Sequence, residues 1–371
     1  MKITIVQGAF LPVPPIMGGA VEKVWLRLGQ EFAAAGHKVV HVSRTHPQLP
    51  TEERIEGVRH VRVRGYAAPA SIWKLKLLDL FYSRRACRAV PRDSDVVVTN
   101  TFWSPLTLSA RLRRKAYVDV ERMPKGQMRL YRRARLRANS TPVASAIRRE
   151  LPAKDYDRVA MIPNPLPFVV NEPFDDREKR PVLLYCGRVH PEKGLHLLIQ
   201  SLRLLDNVWP LRIVGSWQTD QGGGGTAYKD SLVQAAHGLA VTFVGPVHQM
   251  EALNEEYRAA ALFIYPSVAE KGETFGSAPL EAMAWGCAPI VSDLECFKDF
   301  IKSQENGAIF NHRGSEAVKN LAEAIRPLMR DKMLRLSLAH RALSVRTTHS
   351  AQTIARMFLS DFAAMPHSQS C

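Results

Sequence analysis

Residues 182–205 read "VLLYCGRVHPEKGLHLLIQSLRLL". The apolar run "VLLYCG" (182–187) reads as a buried strand that stops at a glycine. The run "GLHLLIQSLRLL" (194–205) has apolar residues three and four apart and reads as a helix. A second apolar run, "LRIVG" (211–215), follows as another strand. Strand, crossover helix and strand in this order form a parallel unit. The rhythm continues in "VTFVG" (241–245), "LFIYPS" (262–267) and "APIVS" (288–292), with a helix over "PLEAMAWG" (279–286) that ends at a glycine.

The first half of the chain carries the same pattern. "KITIV" (2–6) is a strand rather than a signal-peptide core, because its apolar run is too short. A proline- and glycine-rich stretch, "LPVPPIMGGA", leads to a helix from Val21 to about Ala35, and "GHKVVHVS" (36–43) closes the unit. "SDVVVTN" (94–100), "KAYVDV" (115–120) and "RVAMIP" (158–163) add strands. "PNPLPFVVNEPFDDREKRP" (163–181) lacks periodicity and reads as a linker. The expected fold class is therefore α/β, with two Rossmann-like, doubly wound domains facing across a cleft. Expected boundaries are 1–165, a linker at 166–180, and 181–345. In the last segment, 346–371, a helix crosses back to the first domain before a frayed tail.

At 371 residues, 46% of them hydrophobic and 23% charged, the chain suits two globular domains. No apolar stretch approaches the length of a membrane span. Five scattered cysteines with no metal-ligand spacing fit a reducing, cytoplasmic setting. A formal net charge of +16 favours anionic partners. Much of it falls in "RLRRK" (111–115) and "RLYRRARLR" (129–137). This stretch is either a solvated basic helix face or a patch for an anionic acceptor or membrane surface. Tyr131 is its only interleaved aromatic, and no nucleic-acid-binding signature is present, so nucleic acid is not the expected partner.

Three constellations point to chemistry. In "CGRVHPEKG" (186–194), Arg188 and Lys193 follow a strand end in a loop before a helix, where two cations and a helix's leading amides can hold a diphosphate. Two ordinary surface cations would look the same. In "EKGETFGSAPLEA" (270–282), Glu273 and Glu281 flank Thr274, Phe275, Gly276 and Ser277. Backbone amides there can meet phosphate, while Glu273 accepts from sugar hydroxyls and Glu281, in the helix's first turn, accepts from a diol. An acidic first helical turn is the plain alternative. In "PPIMGGAVEKV" (14–24), Gly18 and Gly19 precede a helix and either present amides to the same diphosphate or form a simple turn. "GGGG" (222–225) reads as a mobile surface loop.

Taken together, these residues resemble glycosyltransferase family 4. "GRVHPEKG", "ETFGSAPLEAMAWGCAPIVS", the Gly18–Gly19 turn and "ANSTPVASAIRREL" (138–151) carry the resemblance, which spans about residues 2–315. It implies the GT-B fold and a retaining transferase that uses a nucleoside-diphosphate sugar, UDP or GDP, with no cofactor and no bound metal. It also implies roles: Arg188 and Lys193 on the diphosphate and the leaving nucleotide, Glu273 on the donor sugar, and Glu281 on the ribose. Thr274, Phe275 and Gly276 line the donor, and Gly18 and Gly19 contribute from the first domain. The family's histidine after the fourth strand is absent. "DVVVTNTFWSP" (95–105) has Asn100 there, which can hydrogen-bond but cannot carry a proton. Asn100 and Trp103 are candidate acceptor contacts, Trp103 serving either to stack on a ring or to pack. A second departure, "IPNPLP" (162–167), bears on the hinge between domains.

No carboxylate is placed as a covalent nucleophile, so the expected mechanism is front-face substitution, with the leaving diphosphate taking the acceptor's proton. Closure of the two domains would exclude water. Expected acceptors are glycans or glycolipids of cell-surface polysaccharide or lipopolysaccharide synthesis, met at the inner face of an anionic membrane, or a small-molecule aglycone. A sugar-nucleotide epimerase, a phosphorylase-like enzyme and an inactive binding protein are the alternatives.

Overall fold

The computed structural model describes residues 1–365, and the expected frayed tail after Pro366 lies outside the described residues. The chain divides into two compact units, 1–167 together with the chain from residue 349, and 168–348. Residues 168–180, read as linker, belong to the second unit. There Phe174 packs edge-on against His340, and the Lys179 ammonium donates to the carbonyls of Tyr257 and Ala260.

In the first unit, β1 (Lys2–Val6), α1 (Ala20–Ala34) and β2 (Lys38–Arg44) come first, followed by a hairpin of β3 (Glu52–Ile55) and β4 (Val58–Val63). Next come α2 (Ile72–Ala89), β5 (Val96–Thr99) and two single turns, α3 (Ser104–Thr107) and α4 (Ala110–Arg113). β6 (Ala116–Val120), β7 (Arg135–Ala138), α5 (Thr141–Glu150) and β8 (Val159–Met161) complete the sheet. Its order is β3-β4-β2-β1-β5-β6-β7-β8, with all neighbours parallel except β3 and β4. β1 therefore has β2 on one side and β5 on the other, which is the switch point of a doubly wound sheet.

The second unit runs β9 (Arg180–Cys186), α6 (Leu195–Leu202), β10 (Leu211–Val214), α7 (Thr226–Ala235) and β11 (Val241–Gly245). It continues with α8 (Met250–Ala259), β12 (Ala260–Tyr265), α9 (Ser277–Ala284), β13 (Ala288–Ser292) and β14 (Ala308–Phe310). Three helices finish it: α10 (Ala317–Arg330), α11 (Lys332–Ala342) and α12 (Val345–Thr348). The sheet order is β11-β10-β9-β12-β13-β14, all parallel, so its switch point lies between β9 and β12. The chain then returns to the first unit as α13 (Ala351–Ala363). Its Phe358 and Phe362 pack on Trp25, Phe32 and Tyr117. Both units are thus Rossmann-like, as expected. No helix among the described residues is long and apolar enough to cross a membrane.

The basic stretch at 129–137 is not a helix face. Gln127–Leu130 is a short 3-10 turn, and the arginines that follow enter β7. Arg137 is fully buried. It lies opposite Asp119 in the register of β6 and β7, and donates to Asp119 at 2.7 Å, Glu121 at 2.6 Å, Asn164 at 2.6 Å and the Ile162 carbonyl at 2.7 Å. Arg135 pairs with Asp361 of α13. Tyr131 is buried and donates its hydroxyl to the Phe102 carbonyl. Two of these cations are therefore structural, and the one aromatic offers no face for stacking a base.

The excess charge belongs to one unit. Residues 1–167 and 349–371 hold 31 Lys and Arg against 14 Asp and Glu, a formal +17, while residues 168–348 hold 20 against 21, a formal −1.

Candidate functional site

The two chemistry-bearing loops of the second unit leave adjacent strands at its switch point. β9 ends at Cys186 and runs into 187–194, and β12 ends at Tyr265 and runs into 266–276. Ligands of open parallel sheets bind at this place, beyond the strands' carboxyl ends. Backbone bonds join the loops, because the Val268 amide donates to the Glu192 carbonyl at 2.9 Å. Gly194 has φ +69, and a Cβ there would collide with the Pro266 carbonyl, so only glycine allows this approach.

Lys193 and Glu273 meet across the loops at 2.7 Å, their side chains only 7% and 10% exposed. The ammonium also lies over the Tyr265 ring, 5.5 Å from its centre, and Tyr265 hydrogen-bonds to Glu273. Burial, then the Glu273 charge, push the Tyr265 hydroxyl well above its ordinary range, so it stays a donor. Arg188 is half exposed. Its guanidinium donates to the Gly222 carbonyl at 2.7 Å and pairs with Glu192 at 2.8 Å. The glycine run at 222–225 is therefore not a loose surface loop. The Gly224 amide donates to the Val189 carbonyl, the Gly225 amide donates to the Trp217 carbonyl, and Gly223 is buried against the Trp217 backbone.

The second loop delivers α9. Gly276 caps it at φ +82, and a Cβ there would overlap the Phe297 ring. The leading amides of α9 have no carbonyl one turn back within the helix to bond, and they carry the positive end of its dipole. Phe275 is buried and packs on Phe300, so only its backbone faces the site, while Thr274 is half-buried beside it. Glu281 is the fifth residue of α9, not part of its first turn as the sequence suggested, because the helix begins at Ser277. It is half-buried and accepts from the Tyr257 hydroxyl at 3.1 Å. Tyr257 also hydrogen-bonds to Cys186, whose thiol burial pushes up to about 12.

The first unit has its own polar group at its switch point. Asn100, just after β5, donates to Gln7, just after β1, at 2.7 Å. Gln7 is fully buried, and its Nε2 has no protein partner. Gly18 and Gly19 have φ +79 and +109 and open α1, with Glu22 packed against Gly19. Burial raises the Glu22 carboxyl above its usual range. Trp103 gives its indole N–H to the Lys76 carbonyl at 2.9 Å and packs edge-on against Phe102, so its polar edge serves packing. Gln7 and Glu22 were absent from the sequence reading. A polar residue directly after the first strand, and an acid in the first turn of its helix, were the available signals. Among the described residues no group of three or more His, Cys, Asp or Glu is arranged to hold a metal ion.

Residues 171–344 match the family model described as "Glycosyl transferases group 1". The lipopolysaccharide core biosynthesis mannosyltransferase LpcC of Rhizobium leguminosarum bv. viciae is 28% identical over 160 residues, 42% of this chain and 43% of that protein. The lipopolysaccharide 1,2-N-acetylglucosaminetransferase of Salmonella typhimurium is 32% identical over 128 residues, 33% of each. The chain thus aligns with less than half the length of these two relatives. Among solved structures, sucrose-phosphate synthase from Thermosynechococcus elongatus superposes with a TM-score of 0.76 at 21% identity, covering 98% of this chain and 100% of that one. Anabaena Alr3699/HepE in complex with UDP and glucose gives 0.70 at 16%, covering 98% and 100%. At such identities the likeness speaks for the fold, which is GT-B. Residues 171–344 are thus similar to glycosyltransferase group 1 domains.

Proposed function

We propose that the chain is a retaining glycosyltransferase that moves a sugar from a nucleoside-diphosphate sugar, UDP or GDP, to an acceptor hydroxyl in cell-surface polysaccharide, lipopolysaccharide or glycolipid synthesis. One observation carries this reading: the buried Lys193–Glu273 pair beside the leading amides of α9, at the switch point of the second unit. The relatives named for lipopolysaccharide synthesis and the neighbour bound to UDP and glucose support it.

In this reading Arg188 leaves Gly222 and Glu192 to meet the diphosphate, Lys193 meets it from the same loop, and the α9 amides hold it from the other loop. Gly18 and Gly19 stay in the donor set through their backbone amides. Glu273 accepts from the sugar's hydroxyls, with Thr274, Phe275 and Gly276 beside it, and Glu281 accepts from the ribose diol. As the bond from the anomeric carbon to the phosphate oxygen breaks, the acceptor oxygen bonds to the same face and its proton passes to that phosphate oxygen. Two cations and a helix terminus stabilise the charge on the departing diphosphate, so the proposed reaction is metal-independent. The first unit, with Asn100 and Trp103, is proposed to take the acceptor at an anionic membrane surface.

The test is turnover with a panel of UDP-, GDP-, ADP- and dTDP-sugars, with and without chelator. One donor should be used in chelator, with the anomeric configuration retained. Arg188→Ala and Lys193→Ala should each lower turnover by about a hundredfold or more. Parent-level turnover in both variants, or inversion at the anomeric carbon, would overturn the proposal.

A further inference from the structure

The helix α2 shows its apolar side to solvent. Trp73 is 79% exposed, Ile72 68%, Leu77 52% and Phe81 46%. Trp73, Leu77 and Phe81 recur every four residues, and Arg84 and Arg88 extend the same stripe toward the helix's end. At 3.6 residues per turn these five fall within about 80° around the axis. Lys74 lies on one flank, and Lys76, whose ammonium stands over the Trp73 ring at 5.7 Å, lies on the other. The opposite face holds Tyr82, Ser83, Ala86 and Cys87, all buried in the unit. α2 therefore packs by one face and leaves a second, largely apolar face outside.

The charge around this face has one sign. From residue 64 to residue 92 the chain has seven Lys and Arg and a single acid, Asp79, which is buried beneath the helix. The Trp103 indole bonds to the Lys76 carbonyl, and Phe102 contacts Tyr131. Tyr131 in turn lines a groove of about 210 Å³ with exposed Leu130 and the side chains of Arg113, Arg132 and Arg133. Exposed aromatic and aliphatic residues with cations on both sides suit a surface that is apolar within and negative at its boundary, which is an anionic lipid bilayer. A protein partner's groove would have to be lined by acids along the whole helix.

We propose that the outer face of α2 is an interfacial membrane anchor. Trp73, Leu77 and Phe81 enter the headgroup and upper acyl region of an anionic bilayer, and Lys74, Lys76, Arg84 and Arg88 sit at its phosphates. The inference deepens the proposed function, and rests on it for the meaning of the contact, by naming the surface through which a membrane-borne acceptor is reached. It differs from the sequence expectation, which put the membrane patch at 111–115 and 129–137; in the second of these segments Arg135 and Arg137 are spent on internal partners.

The experiment uses the full chain with vesicles of phosphatidylcholine, with and without phosphatidylglycerol, followed by flotation and tryptophan emission. The parent should bind vesicles containing phosphatidylglycerol, lose binding as salt rises, and show a blue-shifted emission that brominated lipid quenches. Trp73→Phe should keep binding and lose most of the shift. Trp73→Ser/Leu77→Ser/Phe81→Ser should lower the partition coefficient by about tenfold or more, and Lys74→Gln/Lys76→Gln/Arg84→Gln/Arg88→Gln should do the same. All of these residues are exposed, so melting curves should stay near the parent's. Calorimetric titration of the same variants with UDP and GDP separates the two readings. Lost vesicle binding with unchanged nucleotide binding supports the anchor. A parent that binds no nucleotide but still floats through this stripe sinks only the transferase reading. Undiminished flotation of the triple-serine variant overturns the anchor. Equal binding to neutral vesicles, or a dimer that needs the stripe in a chain that never floats, overturns it as well.

Discussion

Lys193→Met removes the ammonium from a buried pair and leaves the Glu273 carboxylate, 10% exposed, with the Tyr265 hydroxyl as a neutral donor. Stranding one partner of such a pair costs about 3–5 kcal/mol. In a unit of this size that lowers its melting temperature by about 10 °C. Lys193→Met/Glu273→Gln makes the site neutral on both sides and should recover stability to within about 1 kcal/mol of the parent. Affinity for a nucleoside diphosphate should behave differently. A charge-assisted hydrogen bond to phosphate contributes about 1.5–3 kcal/mol, so both variants should bind UDP or GDP about 10- to 100-fold more weakly than the parent. The nucleotide without its sugar is the right probe, because the proposed contact of Glu273 is with the sugar. Thermal unfolding and calorimetric titration on the parent and both variants complete the test. If the double variant regains stability and affinity together, Lys193 is a structural partner of Glu273 and does not bind the diphosphate.

Other perturbations have equally definite outcomes. Gly276→Ala must hold a side chain at φ +82 and displace the Phe297 ring, so it should cost about 2 kcal/mol or more of the second unit's stability and weaken nucleotide binding, read by unfolding and titration. Arg137→Met takes the buried guanidinium away from Asp119 and Glu121 in the first unit and should cost about 3–5 kcal/mol in denaturant unfolding, with nucleotide binding unchanged. Burial holds the His60 and His349 imidazoles down at about 4, and burial also holds His41, stacked on His60, well below its ordinary range. The unfolded chain takes up these protons below about 6.5 while the folded one does not, so stability is full above that pH and falls as pH drops toward 4. Each of His60 and His349 accounts for up to about 3 kcal/mol. His349→Gln should lessen that slope by one proton, and a flat stability profile from pH 7 to 5 would refute the argument.

The strands that could be read in the sequence are those whose apolar runs are buried on both faces, such as β1, β9, β12 and β13. β7 was hidden because it carries Arg135 and Arg137, and what permits them is an acid on the neighbouring strand and another on α13, far away in the chain. The β3–β4 hairpin turns on Glu56 and Gly57, both at positive φ, and a glutamate is not a residue that announces such a turn. α2 has apolar residues on both sides, one for the core and one for solvent, so it shows no clean stripe. The candidate donor loops were legible because their residue types sit between a strand end and a helix start. The pairing of Lys193 with Glu273 depends on β9 and β12 being neighbours, and the packing of Gly222–Gly225 beneath Arg188 on β9 and β10 being neighbours. Sheet order of that kind is not written in either segment alone.

The central claim is that the switch point of the second unit grips a pyrophosphate, and the most direct measurement is a crystal structure of the chain grown with UDP or GDP. The account predicts phosphate oxygens within about 3.2 Å of Arg188, of Lys193 and of a leading amide of α9, with the ribose hydroxyls at Glu281. A nucleotide bound elsewhere on the chain, or phosphates out of reach of both cations, would contradict it.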